Sequence, residues 1–120
     1  MDDRIRFIEH QGKKVLLADL SNCKPRDVEK IALLVPSYVT SEPRGSVLLL
    51  ADFTGAVFDR IAIERLKESA VFDRPHLMRS AWVGVESLPK IFFEHIKNFS
   101  QRELPAFKTR EEALDWLVRD

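Results

Sequence analysis

A chain of 120 residues, 45% hydrophobic and 32% charged, has the size and composition of one globular domain spanning 1–120, and it is too apolar for a disordered segment. Its 19 basic and 19 acidic side chains cancel without gathering into blocks, which argues against binding nucleic acid or an anionic membrane by bulk charge. Cys23 is the sole cysteine and suits a reducing compartment. With no signal-like start and no run of roughly 18 apolar residues, a cytoplasmic location is expected.

The stretches "RIRFIE" and "KVLLADL" flank "HQGK", where Gly12 can supply the positive φ of a tight turn, so an N-terminal antiparallel hairpin is predicted. Ile5 and Phe7 alternate with Arg4 and Arg6, the pattern of an edge strand, whereas the second strand is apolar almost throughout and should be central. Pro25 then opens a helix with Asp27 in its first turn and Val28, Ile31, Ala32 and Val35 at helical spacing. Pro36 offers no N–H to the carbonyl of Ala32, so this helix is expected to kink or end near it.

"SEPRGS" reads as a loop and "SVLLLAD" as a second buried strand. Asp59 is the predicted N-cap of the next helix, with Phe58 and Ile63 at the positions of a hydrophobic staple and Ala62, Ile63, Leu66 and Ala70 as the core stripe. "HLMRSAWVGVE" supplies another strand, and "SLPKIFFEHIKNFS" a third helix with Leu88, Phe92, Ile96 and Phe99 on one face and His95 at its centre. A short strand at "PAF" precedes a last helix. There Thr109 and Glu112 have capping-box spacing, and Ala113, Trp116 and Leu117 turn inward. Successive strand-helix-strand crossovers imply parallel pairing in the centre of the sheet.

Asp19 and Asp52 end the two buried strands, where open α/β sheets collect ligands. They could hold a divalent cation or, at Asp52, accept a phosphoryl group as a receiver domain does. The plainer expectation is that both satisfy loop N–H groups. His10, His76 and His95 show no metal-binding spacing, the serines sit in no nucleophile turn, and Gly55 is a lone glycine. No enzyme activity, metal or cofactor is therefore expected. Apolar side chains outside the helical stripes are more informative. Phe93 lies about 120° from the centre of its helix's stripe, and Ile61 falls among charged neighbours. Together with Phe53 and Phe58 they would form a docking surface if contiguous.

The order of elements, with "HQGKKVLLADLSN", "EPRGSVLLLADFTGAVFD", "SAWVGVESLPKIFFEHIKNFS" and "FKTREEALDWL", resembles the SpoIIAA-like branch of the STAS domain family, related to the sporulation anti-sigma-factor antagonist. The resemblance implies an α/β fold: a mixed sheet of four to five strands with an N-terminal antiparallel hairpin, a parallel centre and about four helices. "DFTG", residues 52–55, is similar to the segment before the antagonists' phosphorylated serine, and Asp59 matches their aspartate. The Ser-Ser-Gly that should follow reads Arg60, Ile61 and Ala62, so the hydroxyl of the phosphorylation switch is missing.

For this branch the resemblance implies a non-enzymatic module that binds an apolar or lipid-like ligand, or a membrane surface. The candidate site is Asp52, Phe53, Thr54, Gly55, Phe58, Asp59, Arg60, Ile61 and Phe93. The alternatives are an antagonist-type regulator docking residues 53–66 on a partner protein, and a receiver-like phosphoacceptor at Asp52. Homodimer formation stays open.

Overall fold

The computed structural model describes residues 2–90, 92, 94 and 105–119. In chain order these form β1 (Ile5–His10), β2 (Lys13–Asp19), α1 (Pro25–Val39), β3 (Val47–Asp52), α2 (Arg60–Asp73), β4 (Leu77–Val83), β5 (Ala106–Phe107) and α3 (Arg110–Leu117). The strands make one five-stranded sheet in the order β1-β2-β3-β4-β5, antiparallel between β1 and β2 and parallel elsewhere. The predicted helix at 87–100 falls largely outside the described residues, as do Phe93, His95, Ile96 and Phe99. Leu88 and Phe92 are buried as expected.

The continuous apolar runs of β2 and β3 serve a sheet covered on both faces. Leu16, Ala18, Leu49 and Ala51 face α1 and α2, joined by Val28, Ile31, Val35 and Ala62. Val15, Leu17, Leu48 and Leu50 point the other way, onto Ala113 and Leu117 of α3. The hairpin turns at Gln11 (φ 51°) and Gly12 (φ 78°), the two positive values that a tight two-residue turn requires. Among the described residues no helix is long and apolar enough to cross a membrane.

Pro36 does not stop α1, which runs on to Val39. Val35 and Val39 are anchored in the core on either side of it, and the Pro36 carbonyl still accepts from the Thr40 amide at 3.1 Å. Burial at Val39 outweighs the one hydrogen bond that the proline removes.

Candidate functional site

Among the described residues, two neighbourhoods bring buried acidic side chains together with polar partners. The first lies at the carboxyl ends of β2 and β3, where "ADLSN" (18–22) and "ADFTG" (51–55) adopt the same local structure. Asp19 Oδ1 accepts from the Ser21 amide at 3.0 Å and the Ser21 hydroxyl at 2.5 Å. Asp52 Oδ1 accepts from the Thr54 amide at 2.9 Å and the Thr54 hydroxyl at 2.7 Å. Each segment then turns through a positive φ, 57° at Asn22 and 70° at Gly55. The Leu20 and Phe53 amides donate to the carbonyls of Asp52 and Val83, both at 2.8 Å, so the parallel ladder continues past the strand ends.

Arg110, the first residue of α3, joins the two segments. Its Nε donates to Asp52 Oδ2 at 2.6 Å, and its Nη2 lies 2.8 Å from Asp19 Oδ1. Arg4 secures the same corner by donating to the carbonyls of Asp19 (3.2 Å) and Ser21 (2.7 Å). Burial alone would raise the Asp19 carboxyl, but the Ser21 donors and the Arg110 charge outweigh it and leave the pKa below the ordinary value. Burial likewise opposes the Arg110 charge, yet the bond to Asp52 and the attraction of Asp19 raise its pKa. Both oxygens of Asp52 are thus engaged, one by its own loop and one by Arg110, and the expected loop-satisfying role of the two aspartates is met. Arg110 was not among the residues singled out in the sequence, because only the docking of α3 brings it here.

This corner is packed tightly enough to predict a specific failure. Gly84 has φ +73°, and a Cβ built on it would stand 2.4 Å from the Thr54 amide nitrogen and 2.6 Å from Thr54 Cα. Backbone cannot yield as a side chain can. Gly84→Ala is expected to lower unfolding stability by roughly 2–4 kcal/mol in urea titrations, since clash and strained φ act together.

Of the residues proposed for an exposed apolar patch, Phe53 is not at the surface. Phe53 is 1% exposed and packs in the core against Phe58 (6.1 Å between ring centroids) and Trp82 (4.9 Å). Phe58 is half-buried against that core, whereas Ile61 is 53% exposed beside Asp59, Arg60, Glu64 and Arg65. Asp59 caps α2 as predicted, accepting from the Ala62 amide at 2.8 Å. Thr54 and Gly55 are exposed, and the Gly55 amide donates to Ser87 Oγ at 3.0 Å. Phe93 lies outside the described residues.

The second neighbourhood is a cavity of about 60 Å³ between α1, α2 and the sheet. Ile31, Ala32 and Val35 line it from α1, Leu66 and Ala70 from α2, and Leu49, Ala51, Phe53 and Trp82 from the sheet side. At Ala32 and Ser69 it adjoins a surface groove of about 210 Å³ that runs past Leu33, Pro36 and Phe72. Leu33 and Phe72 are 65% and 51% exposed, so apolar surface continues from the interior to solvent.

The cavity wall also holds Ser69 and Asp73. Ser69 Oγ donates to Asp73 Oδ2 at 3.0 Å, while Asp73 Oδ1 is buried with no hydrogen-bond partner. Burial raises the pKa of Asp73 to about 7, against a smaller lowering by the Ser69 hydroxyl. The spacing Ala62, Leu66, Ser69, Asp73 is that of an inward-facing helical stripe, so position was a readable signal even though residue type pointed to solvent.

Comparisons of the chain with family models, curated proteins and solved structures find no match.

Proposed function

We propose that this chain is a cytoplasmic, non-enzymatic binding module of the SpoIIAA-like (STAS) type, taking an apolar or lipid-like ligand between α1, α2 and the sheet. The observation that carries this reading is the apolar cavity with its adjoining groove. Small-molecule sites are concave and mostly apolar, with a few polar groups to orient the guest, and this region has that make-up. The ligand position differs from the loop that the family resemblance implies. It shares Phe53 with the expected residues, whereas Ile61 borders a separate, charged groove.

The expected result is that an apolar fluorescent probe, N-phenyl-1-naphthylamine, binds the purified protein and is displaced by medium-chain lipids. Ala70→Leu, which fills the cavity from α2, should weaken probe binding at least tenfold. Ile61→Asp should leave it unchanged, although docking of a partner protein on residues 53–66 would make Ile61 matter. Absence of probe binding, or equal binding by Ala70→Leu, overturns the reading.

A further inference from the structure

We infer that the ligand spanning this cavity and its adjoining groove is an amphiphile with a neutral hydrogen-bond-donating head, an aliphatic alcohol, whose hydroxyl donates to Asp73 Oδ1. The inference rests on the ligand-binding reading above and specifies its chemistry. Asp73 is 3% exposed, and its Oδ1 has no partner although Oδ2 is held by Ser69. Buried polar atoms in native folds are nearly always paired, and an acceptor left alone within an apolar wall is a strong attachment point for any donor that arrives with enough apolar surface. Most of the remaining wall selects that surface, since Ile31, Val35, Leu49 and Phe53 offer it only apolar contact, with Arg74 and Ser80 as the other polar side chains in the lining.

The head is narrowed by what the wall would charge each alternative. A carboxylate would set its own acceptor oxygens against Oδ1. An ammonium would have to shed its hydration in an apolar enclosure, a far larger loss than a hydroxyl suffers. An ether of the same length makes the same apolar contacts but brings no donor. A site built around an unpaired acceptor discriminates sharply against such an analogue, as sites made to hydrogen-bond a substrate generally do.

The test is run at about pH 8.5, where Asp73 is ionised and Oδ1 can only accept, with nine-heavy-atom probes that differ only at the head: 1-octanol, heptyl methyl ether and octylamine, with octanoate as the anionic arm. Trp82 lines the cavity, and Trp116→Phe leaves it as the sole tryptophan, so its fluorescence reports binding directly. Octanol should bind at least tenfold more tightly than the ether, the amine and octanoate, and Asp73→Leu should abolish its advantage over the ether while leaving ether binding intact. Equal affinity for octanol and ether overturns the inference while sparing the ligand-binding reading. Tighter octylamine binding overturns it in favour of a cationic head, and tighter octanoate binding in favour of an anion held by Arg74, which also lines the cavity. Failure of every probe to bind removes the ligand-binding reading itself. The ranking on the Asp73-containing protein stands as a test even where Asp73→Leu does not fold.

Discussion

Asp73→Asn is expected to be more stable than the parent protein at pH 8 and slightly less stable at pH 4, so the two stability profiles cross. In the unfolded chain this carboxyl titrates near the usual value of about 4, and in the folded protein near 7. Between those values the folded state holds the extra proton, so the favourable term present at low pH is lost as pH rises through the folded value. The full difference corresponds to about 4 kcal/mol, and an asparagine, which cannot ionise, escapes it. Its amide brings a buried donor that lacks a certain partner, at a cost of about 1–2 kcal/mol, leaving a net gain of roughly 2–3 kcal/mol at pH 8. Asp19 has the opposite linkage, since its lowered pKa contributes stability that disappears as pH falls through the folded value. That contribution is common to both proteins and cancels in the comparison. Urea unfolding from pH 4 to pH 9 measures it, and parallel profiles would show that Asp73 ionises in the fold as easily as in water.

Arg110→Ala should be the most damaging single change on the other face of the sheet. Removing the guanidinium leaves Asp52, 5% exposed, and Asp19 without the cation that joins them. Breaking a buried pair costs about 3–5 kcal/mol, but the Arg110 side chain is 37% exposed and solvent recovers part of the loss, so roughly 2–4 kcal/mol is expected. Arg110→Lys should restore little, because one ammonium on a flexible stem cannot present two forked donors to two carboxylates. Adding Asp52→Asn to the Arg110→Ala protein should recover at least 1 kcal/mol, the sign of coupling in a double-mutant cycle. Additive losses would mean that the two residues act independently.

Much of this fold is legible in one dimension because its determinants are local. The Gly12 turn, the Pro25 start, the Asp59 and Thr109 caps and the dense runs of β2 and β3 each act within a few residues. The sequence is less informative wherever a distant segment decides. Pro36 argued for a kink or an end nearby, and the helix runs on as far as Val39, which has a place in the core. Phe53 follows a strand and looked available for docking, yet its amide extends the ladder to Val83 and its ring turns into the core. Asp73 has the spacing of a buried position and the chemistry of a surface one, and spacing prevailed. Arg110 carries no local signal, because its two partners lie 58 and 91 positions earlier in the chain.

That last separation bears on the order in which a nascent chain can assemble. The β1–β2 hairpin closes over neighbouring residues and can form as soon as it emerges, while the parallel strands wait for their crossovers. Asp19 and Asp52 are synthesised early and come together when β2 meets β3, but their shared counter-charge arrives only with α3. Until then two negative charges oppose one another across that seam, with Arg4 against the Asp19 side alone. Helix α3 therefore acts as a latch: the sheet reaches its full strength once Arg110 has docked, and a chain lacking residue 110 would carry a repulsion that Arg4 offsets on one side alone.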